Sequence, residues 1–126
     1  MCIAALHHLA SADRRLHAVT EIGKILKPGG GALLYVWAFE QPETSSLYKQ
    51  RSKLHFLSDD QQDILVPWTL SDLYGKVKTQ YRFYHLFREG ELEALCLAAG
   101  LFEIAYSGYD RDNWFVAVRR TSDPTC

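Results

Sequence analysis

The sequence predicts an α/β fold that corresponds to one half of a doubly wound sheet. Two apolar runs, 2–6 and 32–38, lack an alternation of polar and apolar residues, which is typical of strands covered on both faces. An amphipathic helical pattern and a glycine-rich turn lie between them. Strand, helix, turn and strand make a βαβ unit, which joins parallel strands by a right-handed crossover.

The first helix has a start signal and a stop signal. Ser11 can cap its N-terminus, and Asp13 in the first turn faces the positive end of the helix dipole. Pro28 and the three glycines that follow it end the helix. A spacing of three or four residues predicts one apolar face, formed by Ala12, Leu16, Val19, Ile22 and Leu26.

The middle of the chain is polar from residue 40 to about residue 78, and we expect a long loop there, either a functional lid or a disordered segment. Its apolar stretch 64–68 is expected to dock back on the body. The aromatic and basic segment 81–88 is read as extended, which places alternate side chains on opposite sides. If the segment has no functional role, we expect an ordinary strand with Phe83 and Leu86 buried and the rest solvated.

A helix over 89–99 and a hairpin complete the pattern. The hairpin strands are predicted at 101–107 and 114–119, around a turn at 108–113. We assign residues 1–120 to part of one domain, with a polar insertion at about 40–78, and residues 121–126 to a frayed tail.

Composition excludes several classes of protein. The three cysteines, Cys2, Cys96 and Cys126, have no Cys-x-x-Cys spacing, which argues against a zinc site or a disulfide framework and fits a reducing compartment. No apolar run reaches the roughly 20 residues that span a bilayer. We therefore expect no membrane partner and a cytoplasmic location, with the nucleus as a second expected location. The net charge of −1 does not indicate a nucleic-acid partner, although a local patch would suffice for one.

Two patterns resemble known proteins. The helix end at 26–30 before an apolar strand, together with the element order, resembles the C-terminal half of the class I S-adenosylmethionine-dependent methyltransferase fold, whose last strand runs antiparallel to the rest. Four stretches are similar to the tRNA wobble-uridine carboxymethyl methyltransferases, a family that includes a methyltransferase domain fused to an AlkB-type oxygenase. These stretches are IAALHHLA (3–10), LYVWA (34–38), RFYHLFREGEL (82–92) and YDRDNW (109–114).

The resemblance implies methyl transfer from S-adenosylmethionine to the carboxylate of 5-carboxymethyluridine at the wobble position. The glycine-rich cofactor loop of the family and its ribose-binding acidic residue would lie upstream of residue 1. The glycines at 29–31 cannot replace that loop, because they follow a helix whereas the loop must follow a strand. We therefore expect this chain to be inactive on its own, with Leu6 and His7 as its contacts to the cofactor.

Candidate functional residues cluster at the ends of the two predicted parallel strands. His7 and His8 follow the first strand, at the edge where ligands bind in open sheets. We predict that His8 faces the reacting groups and that His7 binds the substrate; alternatively, one caps the next helix and the other is exposed. Trp37 ends the second strand and is predicted to stack on the uridine, or else to be a core residue.

Two later segments supply polar candidates. We predict catalytic contacts from Arg82 and His85 and substrate contacts from Tyr84 and Arg88, against the alternative of an ordinary solvated strand. Arg111 and Asn113 are predicted to bind substrate, although their residue types also favour a turn. No metal site is predicted. Contacts to the tRNA backbone are available from Lys49, Arg51, Lys53, Lys76 and Lys78.

The resemblance also implies partners, namely the tRNA anticodon loop and a small zinc-binding activator subunit. Two other functions stay open at this point. One is a class I methyltransferase that acts on a small molecule, which the basic and aromatic segment 82–88 disfavours. The other is a non-catalytic binding or regulatory module.

Overall fold

The computed structural model of the chain describes residues 2–3, 6–71 and 73–121. None of the helices in these ranges is long and apolar enough to cross a membrane. The helices are α1 (Ala12–Ile25), α2 (Ser46–Lys49) and α3 (Glu91–Ala98). The strands are β1 (Cys2–Ile3), β2 (Gly31–Trp37), β3 (His55–Phe56), β4 (Asp63–Ser71), β5 (Val77–His85), β6 (Phe102–Asp110) and β7 (Asn113–Arg120). Of the predicted tail at 121–126, residues 122–126 lie outside the described residues.

Helix α1 begins where the sequence predicts. The Ser11 hydroxyl oxygen accepts a hydrogen bond from the backbone N–H of Arg14 at 3.1 Å, which confirms the N-cap. The buried face is shifted from the predicted one, because Arg15 is buried together with Val19, whereas Ala12 is exposed. The Arg15 guanidinium donates to the backbone oxygen of Leu9 at 2.8 Å, and this bond compensates part of the cost of burying the charge.

The first strand is shorter than predicted. Cys2 and Ile3 pair with Leu34 and Tyr35 of β2 in parallel register, which confirms the parallel pairing of the βαβ unit. Residues 4 and 5 of the predicted strand lie outside the described residues. Leu6 is a correction to the prediction, because it belongs to a 3-10 turn over Leu6–His8 that directs the chain toward α1.

The four-stranded sheet has the order β1-β2-β7-β6. Strand β7 lies antiparallel to both of its neighbours, as predicted for the last strand. Its side chains Val116 and Val118 are buried against β2, α1 and α3 in the larger of the two cores. The hairpin turn consists of Arg111 and Asp112 alone, so it is shorter than the predicted turn at 108–113.

The expectation of a loop over 40–78 is wrong for much of that segment. It contains α2, a 3-10 turn at Arg51–Lys53 and the strands β3 and β4, and β4 pairs with β5 in a second, antiparallel sheet of order β3-β4-β5. The outer half of the β4–β5 hairpin is exposed, and the polar run 78–80 of β5 has no apolar period to reveal a strand. In the inner half, Tyr84 and His85 are buried, so the alternative of an ordinary strand with these side chains solvated is wrong.

A short backbone junction joins the two sheets. The backbone N–H of Phe87 donates to the Trp37 carbonyl at 3.0 Å, and the N–H of Phe39 donates to the Phe87 carbonyl at 2.8 Å. Ala38 and Phe87 therefore form a parallel β-bridge. The smaller core lies beside this junction and consists of Ile64, Val66, Tyr84 and Leu86, with Trp37, Phe39, Leu47 and Leu54 packed against it.

Removing the N-cap should destabilise the chain through α1. We expect Ser11→Ala to lower the free energy of unfolding by about 1 kcal/mol, because the N–H of Arg14 loses its acceptor. Ser11→Gly is the matched control, since glycine at an N-cap costs only a few tenths of a kcal/mol. Urea unfolding followed by circular dichroism measures both. Equal stability of the serine and alanine proteins would contradict the assigned cap.

Candidate functional site

A cleft of about 420 Å³ opens at the carboxyl end of β2. This is the edge at which parallel sheets bind ligands. The cleft lies between the end of β2, the segment around α2, strand β4 and the β6–β7 turn. It is lined by Trp37, Gln41, Leu47, Gln50, Val66, Pro67, Trp68, Thr69, Arg111, Asp112 and Asn113.

The β6–β7 turn holds Arg111 at the cleft. Both turn residues have positive φ, 46° at Arg111 and 69° at Asp112, as a two-residue turn between twisted strands requires. The Asn113 amide donates to the backbone oxygens of Asp110 and Arg111, at 3.2 and 2.9 Å, and stabilises the turn. The N–H of Ala38 donates to the Asp112 carbonyl at 2.9 Å, which fastens the turn to the end of β2.

An aromatic cluster packs around Trp37, which lines the cleft, and Tyr84, which does not. The rings of Trp37 and Tyr84 are stacked with centroids 4.0 Å apart and an interplanar angle of 4°. His8 and His7 lie against Tyr84 with centroids at 4.4 and 4.9 Å. Burial raises the pKa of Tyr84, and this rise is opposed by the charge and hydrogen bond of Arg82 and by a hydrogen bond from Trp68. The structure thus brings together four of the predicted site residues.

The two histidines have different positions. His7 is fully buried, and its Nδ1 accepts a hydrogen bond from the backbone N–H of Trp37 at 3.0 Å, which ties the 3-10 turn to the end of β2. Leu6 is buried as well. His8 is exposed, and a 3.0 Å hydrogen bond joins its Nδ1 to the Phe83 carbonyl. Of these three side chains, His8 is therefore the one that a ligand can reach.

Arg82 does not line the cleft, but it contacts Trp68, which does. Its guanidinium carbon lies 4.2 Å from the centroid of the Trp68 ring, within the range of a cation–π contact. Trp68 itself lines the cleft, and the sequence pattern did not single it out as a functional residue. The signal that could have found it is the alternation of Ile64, Val66 and Trp68, which places the tryptophan on the same strand face as two buried residues.

His85 lies in a separate polar cluster. Its Nδ1 is 2.6 Å from the Asp63 carboxylate, and its Nε2 contacts the carboxylate of Glu91. Burial acts to lower the pKa of His85, but the hydrogen bonds with Glu91 and Asp63 outweigh it and raise this pKa above its usual value. Burial likewise acts to raise the pKa of Glu91, but the hydrogen bonds from His85, the Arg88 backbone and Gln62, together with the charge of His85, outweigh it and lower that pKa. We call the contacts of His85 with Asp63 and Glu91 the ionic clamp. It joins β5 to β4 and to α3.

Arg88 belongs to the same region as His85. Its guanidinium carbon lies 4.2 Å from the Phe39 ring centroid, and its Nη2 donates to the backbone oxygen of Asp60 at 3.1 Å. Neither Arg88 nor His85 lines the cleft. Their contacts are structural in this conformation, and the catalytic role of His85 and the substrate contact of Arg88 stay predictions.

Comparison with known proteins identifies relatives along nearly the whole chain, although no protein-family model matches. A "tRNA (carboxymethyluridine(34)-5-O)-methyltransferase" from Schizosaccharomyces pombe is 38% identical, over 95% of this chain and 55% of that protein. The alkbh8 protein of the same description from Xenopus tropicalis is 32% identical over 94% of this chain and 25% of its own length. The chain thus spans about half of the first relative and a quarter of the second.

Solved structures show the fold. A S-adenosylmethionine-dependent methyltransferase from Methanosarcina mazei superposes with a TM-score of 0.65 at 20% identity, covering 96% of this chain and 57% of that one. The CcbJ methyltransferase from Streptomyces caelestis superposes with a TM-score of 0.64 at 14% identity, covering 93% of this chain and 54% of that one. The sheet therefore has the class I methyltransferase fold, and the predicted resemblance to the tRNA carboxymethyluridine methyltransferases is confirmed.

The ionic clamp should make stability depend on pH. Because the pKa of His85 is raised in the folded state, its stabilising contribution is complete below about 6.5, the unfolded value, and is lost as the pH rises through the folded value. Asp63 and Glu91 face the ring from β4 and α3, while Arg15 on α1 opposes its protonation. We expect the difference in unfolding free energy between wild type and His85→Gln to shrink by about 1–3 kcal/mol from pH 6 to pH 9.

Urea unfolding at each pH measures this difference. The matched control is His17→Gln, because His17 is exposed on α1 and should leave the pH profile of the wild type unchanged. A stability difference between wild type and His85→Gln that stays constant from pH 6 to pH 9 would show that the ring is neutral in the clamp.

Proposed function

We propose, from its sequence relationship to the tRNA carboxymethyluridine methyltransferases, that this chain forms the acceptor side of such an enzyme. The reaction is transfer of a methyl group from S-adenosylmethionine to the carboxylate of 5-carboxymethyluridine at the wobble position. The observation that carries the proposal is the 420 Å³ cleft at the carboxyl end of β2, which combines Trp37 and Trp68 with Arg111.

The cleft suits a uridine base. Its volume is within the roughly 300–1,000 Å³ typical of small-ligand sites. Trp37 lines it at the end of β2, and stacking of a base on such an aromatic ring is worth about 1–3 kcal/mol. The stack on Tyr84 holds the Trp37 ring in place before the substrate arrives, so little side-chain freedom is lost on binding.

The carboxylate of the substrate needs orientation and no general base. Such a group titrates near pH 4 and is ionised at neutral pH. Arg111 lines the cleft, and we assign the orientation of the carboxylate to its guanidinium group. Arg82 does not line the cleft and contacts Trp68 instead, so its catalytic contact stays a prediction. Because the Asn113 amide already donates to turn carbonyls, we assign Asn113 to the positioning of Arg111. Walls that exclude water would strip the carboxylate of hydration and raise its reactivity.

The side of the site near β1 fits one edge of a cofactor. S-adenosylmethionine would supply an electrophilic methyl group, and the transfer releases a neutral thioether without moving a proton. His8 is the exposed side chain at this edge, beside Tyr84, so we assign it to the contact with the reacting groups. The side chains of Leu6 and His7 are buried, so a direct cofactor contact from them stays a prediction.

We further propose that the chain does not methylate RNA by itself. Its match covers 55% of the fission-yeast relative, so about half of that protein has no counterpart in these residues. Within the described elements, the glycines at 29–31 join α1 to β2, which is the wrong order for a cofactor loop. The partners we propose are the tRNA anticodon loop and a small zinc-binding activator subunit, and the locations are the cytoplasm and the nucleus.

A chimera tests the proposal. Residues 1–126 replace the matching segment of the Schizosaccharomyces pombe relative, and methyl transfer to an anticodon stem-loop that contains 5-carboxymethyluridine is measured. We expect the chimera to be active and the chain alone to be inactive. In the chimera, Arg111→Gln should lower kcat/KM about 10- to 100-fold, because a hydrogen bond to a charged group contributes about 1.5–3 kcal/mol.

Two controls accompany this assay. Arg111→Lys keeps the positive charge at the same backbone conformation and should retain more activity than the glutamine variant. Arg14→Gln removes an exposed arginine of α1 and should leave kcat/KM unchanged. The proposal fails if Arg111→Gln methylates as well as the parent chimera, or if the chimera esterifies no carboxymethyluridine.

A further inference from the structure

The β4–β5 hairpin continues beyond the cleft and carries one face outward from it. In the antiparallel register Val66 lies opposite Arg82, Trp68 opposite Gln80, and Leu70 opposite Lys78. Residues two apart on a strand share a face, so these six side chains lie on one surface. We call the outer part of this surface the hairpin face, formed by Trp68, Leu70, Lys78, Gln80 and Arg82.

Burial changes along this surface at the cleft. Ile64 and Tyr84 at its root are 0% and 3% exposed, and Val66 is 5% exposed. Trp68 and Leu70 are 38% and 47% exposed. The apolar surface therefore passes from the smaller core, along the wall of the cleft, to solvent without interruption. An aromatic and an aliphatic side chain left exposed beside a binding cleft indicate a contact with a ligand that extends out of that cleft.

The chemistry of the hairpin face is that of a surface for single-stranded nucleic acid. The Arg82 guanidinium lies over one side of the Trp68 ring, 4.2 Å from its centroid, and holds the ring against the strand. Lys78 is exposed two positions from Gln80 on the same face. None of the five residues is acidic. A stacking ring beside basic side chains is the arrangement that binds bases and phosphates without reading their sequence.

A protein strand is the other occupant that a sheet edge can accept, because β5 is the outer strand in the order β3-β4-β5. Basic side chains on an edge strand disfavour such pairing, and β5 carries Lys78 and Arg82. The charge and the exposed tryptophan both favour RNA instead.

We propose that the hairpin face binds the RNA strand next to the modified uridine, with a neighbouring base stacked on Trp68 and a phosphate held by Lys78. This inference rests on the proposed function for the identity of the nucleotide in the cleft. The hairpin face contacts the flanking nucleotide, which does not carry the carboxymethyl group. The contact therefore does not depend on that group.

Fluorescence anisotropy of a labelled anticodon stem-loop, titrated with the full chain, tests the inference. We expect Trp68→Leu to weaken binding about tenfold, as loss of one stacked base requires, and Trp68→Phe to restore most of it. Lys78→Gln should weaken binding and reduce the slope of log affinity against log salt by about 0.7, which corresponds to one phosphate contact on a single strand. Lys27→Gln, at the far end of α1, is the matched control and should change neither quantity.

Each titration is made with uridine and with 5-carboxymethyluridine at the wobble position. The hairpin variants should weaken binding of both RNAs by the same factor. Unchanged affinity in both Trp68→Leu and Lys78→Gln would overturn the inference, as would an equal loss in Lys27→Gln. If the carboxymethyl group has no effect on affinity while the hairpin variants still weaken binding, the modified uridine does not bind in the cleft. The proposal that the hairpin face binds RNA is then retained. Circular dichroism confirms that each variant is folded.

Discussion

The stack of Trp37 on Tyr84 is the contact on which the site depends. Trp37 is the last residue of β2, and Tyr84 is the penultimate residue of β5, so the stack joins the two sheets. The bridge between Ala38 and Phe87 fixes the backbone at the same place. Rings 4.0 Å apart and nearly parallel leave little freedom for one sheet to turn against the other. The second sheet is thereby held over the carboxyl end of the first.

The cleft follows from that arrangement. One wall is the end of β2 itself, a second is β4, and a third is the β6–β7 turn, whose Asp112 carbonyl accepts from the N–H of Ala38. The ionic clamp of His85 between Asp63 and Glu91 secures the far side of β5 to α3. The side chains around the cleft therefore have two kinds of position. Trp37, Trp68 and Arg111 line the cleft, whereas His7 and His85 form hydrogen bonds that connect the elements around it.

Local signals in the sequence were sufficient for the first sheet. Ser11, Pro28 and the apolar run of β2 predict elements that the structure contains at nearly the same bounds. The second sheet was missed because the outer half of β5 is polar and exposed, and because its pairing with β4 depends on a register that the sequence does not show. For His85, the residue type suggests catalysis. In the structure its ring contacts Asp63, which lies 22 positions earlier in the chain, and the sequence does not show that these two residues are neighbours. Trp37 was predicted because it ends a strand at the edge of the sheet, and Arg111 because its segment resembles the methyltransferase family; the structure places both at the cleft, and their contacts with substrate stay predictions.

The central claim is that the modified uridine occupies the cleft, and the three tryptophans of the chain report on it. Trp37 and Trp68 line the cleft, whereas Trp114 packs against the larger core outside it. The most direct measurement is a titration of the ¹⁵N-labelled chain with 5-carboxymethyluridine, followed by the indole N–H signals in NMR. We expect the signals of Trp37 and Trp68 to shift together and saturate with one dissociation constant, while that of Trp114 stays in place. A shift of Trp114 alone, or no shift at any indole, would contradict the assignment of this cleft to the substrate.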